Sequence, residues 1–198
     1  MTAGPGIHDE ASCGDARQDE VALMGRVAAE QMDAFEVLYR LYHPKLTRFL
    51  TGMTHRPALV EEILDDTMLV VWRRAHTYVP EAKVSTWIFG IAYRQALKAL
   101  REAGHGAPAE TDDAPLPSQE PAPEMELQQR DLHAMLDQAM QSLSAEQRAV
   151  IELTYYLGYA CREIATIMDC PVDTVKTRMF YARRRLRALL GANREEAM

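Results

Sequence analysis

The sequence predicts an all-α protein of two small helical domains joined by a flexible acidic linker, and three observations carry that expectation. Apolar residues recur at helical spacing along most of the chain, and no stretch shows the period-two alternation of a half-buried strand. Between Gly104 and Glu126, five prolines (Pro108, Pro115, Pro117, Pro121, Pro123) and six acidic residues occur with no Lys or Arg. Such a segment can neither bury a core nor hold a helix, so 104–126 reads as an extended linker with a domain on each side. Beyond it, two short helical patterns meet at a turn, and the second is crowded with cations: a helix-turn-helix.

Residues 1–19 are polar and Gly-rich and are expected to form a loose, disordered tail. The first domain, 20–103, has candidate helices near 20–31, 33–53, 57–76 and 85–102. The third is the most regular, with Val60, Ile63, Leu64, Thr67, Met68 and Val71 at i, i+3, i+4, i+7, i+8 and i+11. The second domain, 127–190, has helices near 127–141, 145–157, 161–168 and 171–190, and 191–198 forms a second tail. Ser144 followed by Gln147 has the spacing of a capping box, and Pro171 suits the first turn of a helix, where its missing N–H would have had no partner. No internal repeat and no Gly-rich phosphate loop is present.

In the helix-turn-helix, Ile164 and Met168 share an inner face with the small Ala165, placed where two helices would cross. After the break at Asp169-Cys170-Pro171, Val175, Met179, Ala182, Leu186 and Leu189 recur at i, i+4, i+7, i+11 and i+14 as one buried stripe. The opposite face carries Asp173, Lys176, Thr177, Phe180, Tyr181, Arg183, Arg184 and Arg187. A helix basic on its outer side and held off the core by a short partner has the shape and charge to enter a DNA major groove. The plainer alternative is a solvated amphipathic helix in an ordinary bundle.

Net charge is −7 over 198 residues, which argues against a nucleic-acid binder until its distribution is considered. From Cys170 to Leu190 there are six Lys or Arg against one Asp, so a local basic face survives the overall acidity. Cys13, Cys161 and Cys170 form no C-x-x-C pair and leave an odd one over, which fits a reducing, cytoplasmic setting. Two of them lie in the helix-turn-helix, where plain packing and thiol redox control are both open. The six histidines are scattered without ligand spacing, so neither a metal nor another cofactor is expected. No apolar run approaches the roughly 18 residues of a membrane span, and a soluble chain is expected.

Two further constellations stand out in the first domain. Glu61, Glu62, Asp65 and Asp66 crowd the outer side of the third helix, where like charges four apart cost a few tenths of a kcal/mol per pair, partly offset by the helix dipole. The same face continues into Leu69, Trp72 and Arg73, and a protein partner with basic and apolar residues would account for both halves of the patch. A solvated charge run beside a half-buried Trp is the plainer reading. On the fourth helix Arg94, Lys98 and Arg101 share a face, with Phe89 and Tyr93 as a neighbouring aromatic stripe and Trp87 at the helix start. Cations beside aromatics that stack on unpaired bases is a single-strand binding pattern, although such aromatics are more often core.

Taken together, the segments VEEILDDTMLVVWRRAHTY, STWIFGIAYRQALKALR and LDQAMQSLSAEQRAVIELTYYLGYACREIATIMDCPVDTVKTRMFYARRRLRALL resemble, in order and spacing, bacterial sigma factors of the extracytoplasmic-function type. The resemblance covers about 20–190. It implies that the first segment docks on the clamp helices of the RNA polymerase largest subunit through Glu61, Glu62, Asp65, Asp66, Leu69, Trp72 and Arg73. It implies that Tyr78, Lys83, Trp87, Phe89, Tyr93, Arg94, Lys98 and Arg101 read and open the minus-10 promoter element. The minus-35 element then falls to Arg162, Asp173, Thr174, Lys176, Thr177, Arg178, Phe180, Tyr181, Arg183, Arg184 and Arg187. The chain departs from the family pattern at Asp65, usually Gln; at Met68, usually aromatic; at Lys98, usually Asp; and at Asp169, where Gly is commonest and Asp is tolerated.

The function so implied is a promoter-recognition factor for core RNA polymerase, with no catalytic chemistry of its own and an anti-sigma factor as a further partner. Its linker would pass through or near the RNA-exit path, as the family's linkers do. Net acidity would suppress free DNA binding, with the polymerase supplying positive surface. The alternatives are a sigma-like decoy that binds an anti-sigma factor without reading DNA, for which the basic face from Lys176 to Arg187 would be superfluous, and a dimeric helix-turn-helix repressor, disfavoured because the sequence shows no dimerisation heptads and the first domain no ligand-pocket signature.

Overall fold

The computed structural model of the chain describes the backbone of residues 9–105 and 135–196, with side chains from 17–104 and 135–190. Among the described residues every regular element is helical. The linker expected over 104–126 lies outside the described residues except at its very start, as do the first residues of the helix expected near 127–141.

The first half is built from α1 (Asp9–Ala28), α2 (Met32–Thr54), α3 (Pro57–Arg74), a 3-10 turn (Ala75–Thr77) and α4 (Val84–His105). The loose tail expected over 1–19 is corrected from Asp9 onward: α1 starts there, and residues 1–8 lie outside the described set. The helix gains a tertiary anchor that periodicity does not reveal, since Arg17 donates from Nη2 to the Pro80 carbonyl at 3.2 Å. Farther along, Met24 and Val27 are buried. Glu30, with φ 59, turns the chain into α2.

Along α2, Leu38, Tyr42, Leu46, Phe49, Leu50 and Met53 form a fully buried stripe at helical spacing. His55 closes it in the left-handed region, its N–H bonded to Thr51 O. Pro57 then opens α3, where a missing N–H costs nothing. The predicted stripe Val60, Ile63, Leu64, Thr67, Met68 and Val71 is buried in full. Thr67 satisfies its buried hydroxyl by donating to Ile63 O at 2.6 Å. Phe49 meets Phe89 of α4 edge-on, with ring centroids 5.3 Å apart.

The second half contains the helical stretch 135–141 (α5), α6 (Ala145–Ile151), α7 (Cys161–Met168) and α8 (Val172–Glu196). Ser144 caps α6 as a full capping box: Gln147 N donates to its hydroxyl at 3.3 Å, and Ser144 N donates to the Gln147 side chain at 3.1 Å. The single helix expected over 145–157 instead widens after Ile151 into a π turn, Glu152–Tyr156, with Leu157 N bonded to Glu152 O. Such a widening often marks a functional position, and here it places Glu152 in the interior. Asp169 ends α7 in the left-handed conformation (φ 49, ψ 55). Pro171 stands just before α8, and its carbonyl accepts from Thr174 N at 2.9 Å.

The two halves pack on each other, α4 against α7 and α2 against α6, so that one apolar cluster runs through both. Gly90 lies at the α4–α7 crossing, where a Cβ would stand in ordinary van der Waals contact, 3.5 Å from the Ile167 carbonyl. Arg148 of α6 spans the other contact, donating to Met53 O and to Leu143 O at 2.7 Å each.

Candidate polymerase and nucleic-acid interfaces

On α3 the residues opposite the buried stripe form one continuous outer face. Glu61, Glu62, Asp65, Asp66, Leu69 and Arg73 are exposed, and Trp72 is half-buried. Trp72 is fixed edge-on against Phe35 of α2, centroids 5.0 Å apart, with Tyr39 at 6.5 Å from Phe35. The Tyr39 hydroxyl has its pKa raised, first by burial and then by the Asp65 and Glu61 carboxylates, so the acidic patch and the aromatic rim act on each other. Phe35 and Tyr39 were not singled out from sequence; their one-turn spacing on the helix before the acidic segment was the available signal. Charge reversal of Asp65 and Asp66 to Lys is expected to leave helicity and unfolding midpoint nearly unchanged, since such surface changes fall within about 0.5 kcal/mol. The same variant is expected to bind core RNA polymerase markedly more weakly in a pull-down or fluorescence titration; unchanged affinity would remove this face from the interface.

Between α3 and α4 the chain forms a cleft of about 330 Å³ lined by Arg74, Arg94 and Lys98 with Trp87 and Ile91. Tyr78 braces Trp87, meeting it edge-on at 5.9 Å while its hydroxyl donates to Ala82 O at 2.7 Å. Arg101 is exposed one turn beyond Lys98. A cationic cleft with an indole in its wall suits a single-stranded segment whose backbone runs past the cations.

Two of the expected minus-10 residues are placed otherwise. Phe89 and Tyr93 are buried, 1% and 4% exposed, so they do not offer an aromatic stripe to bases in this arrangement. Phe89 is wedged between Phe49 and Tyr159, the latter 5.6 Å away in the second half. Tyr93 lies against Arg178, its pKa raised by burial while the guanidinium pulls the other way. The physical reason is common to both: this side of α4 faces α2 and the second half, and an aromatic stripe with a protein surface to cover is core. Lys83, also in the minus-10 set, is held by Glu163 of α7 at 2.7 Å.

In the helix-turn-helix, Asp173, Lys176 and Thr177 project outward from the first turns of α8, with Thr174 half-buried beside them and Arg162 exposed on α7. Thr177 donates to Asp173 O at 2.8 Å, and Lys176 pairs with Asp173 at 3.1 Å, so this end is orderly and solvent-facing. Farther along, Phe180 and Tyr181 are 61% and 52% exposed, which is unusual for aromatic side chains without a partner surface. Arg183, Arg184 and Arg187 are exposed around them, and Arg183 donates to the Tyr155 hydroxyl at 2.6 Å. Arg178 is the exception: it turns inward, toward Cys170 Sγ at 3.7 Å and Tyr93.

Residues 38–105, which hold most of α2 and all of α3 and α4, match the model of Sigma-70 region 2, and residues 133–186 match Sigma-70, region 4. The chain belongs to the sigma-70 family. It is a sigma factor of the extracytoplasmic-function type, being 34% identical over 173 residues to the ECF RNA polymerase sigma factor RpoE of Cereibacter sphaeroides, a match covering 86% of this chain and 94% of that one. It is also 29% identical over 177 residues to the ECF RNA polymerase sigma factor SigL of Mycobacterium tuberculosis, covering 86% and 96%. Among solved structures, the sigma factor RpoE of Bartonella quintana, in complex with the anti-sigma factor NepR, shares the fold with a TM-score of 0.65 at 24% identity, covering 79% of this chain and 96% of that one. CnrH, solved with the cytosolic domain of CnrY, gives 0.63 at 21% identity, covering 87% and 97%. In this sigma factor the region 2 match contains both the acidic α3 face and the cationic cleft, and the region 4 match contains the helix-turn-helix. Among the described residues no helix is long and apolar enough to cross a membrane.

Proposed function

We propose that this sigma factor docks on core RNA polymerase through the acidic and apolar face of α3 and directs it to promoters. The cleft of Arg74, Arg94, Lys98 and Trp87 takes the opened minus-10 strand, and the outer face of α8 reads the minus-35 duplex. The observation that carries the reading is the outer face of α8, where polar residues at the helix start are followed by arginines flanking two exposed aromatic rings. Major-groove entry needs that order, because helix-turn-helix modules present the beginning of the recognition helix to base edges. The chain works in the cytoplasm, without catalytic chemistry of its own, and an anti-sigma factor opposes it, as NepR is bound to the Bartonella protein.

The test is run-off transcription with core polymerase and this protein on a promoter library. Enrichment of a shared pair of elements at the minus-10 and minus-35 positions is expected. Binding to an anti-sigma factor without any transcript would convert the reading to that of a decoy.

A further inference from the structure

We propose that the free chain carries an intramolecular latch, Glu152 seated on Gly52, which holds its two halves together with Lys83 and Tyr93 of the minus-10 set and Arg178 of the minus-35 set engaged between them, and that loss of the Glu152 proton opens it. The DNA role of those three residues rests on the reading above; the latch itself does not.

The geometry starts at Gly52. It lies within α2, where a glycine is unfavourable by up to about 1 kcal/mol relative to alanine, and its place is explained by what sits on it. A Cβ at Gly52 would fall 2.3 Å from Glu152 Cδ and from Oε1, so the carboxyl group occupies the space that any other residue would fill. Glu152 comes from the π turn of the second half and is only 6% exposed. A carboxyl group in that position is costly when charged. Burial pushes its pKa up to about 7, against the opposing pull of Arg48 of α2.

The charged groups around this contact also have partners of their own. Arg48 lies over the Tyr156 ring, 4.4 Å from its centroid. On α6, Arg148 is directed to the Met53 and Leu143 carbonyls. Nearby at the end of α2, His55 is held below its ordinary pKa by burial and by Arg148. On α7, Glu163 pairs with Lys83.

Closure therefore takes up a proton. Glu152 titrates near 4.5 when solvated and near 7 in the closed form, so its contribution to closure is complete below the lower value and is lost as pH rises through the upper one. In the closed form Tyr93 of the minus-10 set and Arg178 of the minus-35 set touch each other. Elements about 25 base pairs apart lie about 85 Å apart along B-DNA at about 3.4 Å per base pair. One closed molecule cannot serve both.

Small-angle X-ray scattering on the full chain from pH 5.5 to 8.5, with circular dichroism alongside, tests the latch without DNA. The wild type is expected to expand by several Å in radius of gyration as pH rises through neutrality, with helicity unchanged. Glu152→Gln is expected to stay compact throughout. Gly52→Leu, which keeps the helix and fills the seat of the carboxyl group, is expected to be expanded at every pH. A Gly52→Leu chain as compact as wild type, or a Glu152→Gln chain with the wild-type pH response, would overturn the latch. Single-stranded minus-10 DNA binding separates the two readings: if Gly52→Leu expands but its affinity for that strand does not rise, the latch stands and the assignment of the engaged residues to DNA fails.

Discussion

Phe49→Ala is expected to destabilise the first half by about 3–5 kcal/mol, the usual cost of removing a buried aromatic ring and leaving a cavity. Phe49 is fully buried and meets Phe89, which in turn meets Tyr159, so the cavity would open at the point where α2, α4 and the loop before α7 converge. With a total stability of roughly 5–15 kcal/mol for an ordinary domain, that loss consumes a large share of it. Phe180→Ala is the internal control. Its ring is 61% exposed, and its loss should move stability by no more than about 0.5 kcal/mol. Urea titrations of both variants, followed by circular dichroism, measure the contrast. Equal midpoints would mean that the apolar cluster does not hold the protein together as its burial implies.

That contrast between two phenylalanines was legible in the sequence for Phe180 and only half legible for the α4 aromatics. Phe180 falls between buried Val175, Met179 and Ala182 on a helix whose period is unambiguous, so its outward direction follows from geometry alone. Phe89 and Tyr93 also obey a helical period, but Tyr159 and Arg178, which meet them, come from the second half, far along the chain. Periodicity reports that a face is apolar or aromatic; it does not report what covers it. The same limit hid the approach of Arg148 to Met53 across 95 residues.

Glu152 left a signal that was available. It interrupts the apolar run Ala149-Val150-Ile151-Glu152-Leu153, and a carboxylate amid buried neighbours calls for a partner or a proton. Gly52, inside a long amphipathic helix, called equally for something to approach it closely. Neither residue pointed to the other until the chain was folded. By contrast, the capping box at Ser144 and the left-handed Asp169 were readable locally, because a cap and a turn are completed within a few residues.

The division of labour along α8 is the second large effect. Lys176→Ala is expected to change minus-35 sequence preference, with about 1–3 kcal/mol of discrimination lost at one position if the ammonium meets a base edge. Lys176 stands on the exposed first turns of α8, beside Asp173 and Thr177, where a helix-turn-helix faces the bases. Arg184 lies two turns farther along, also exposed, where the proposed docking would carry the helix out of the groove and toward phosphates. Arg184→Ala should weaken all upstream sequences alike and flatten the dependence on salt, because one fewer counterion is released. Arg178 predicts a third pattern. Its guanidinium is turned toward Tyr93 and Cys170, so Arg178→Ala should act first on the contact between the halves. Competition binding across a minus-35 library at two salt concentrations reads the first two, and small-angle X-ray scattering the third. If Lys176→Ala lost affinity uniformly while Arg184→Ala changed the preferred sequence, α8 would lie in the groove in a different register, with its arginines on the bases.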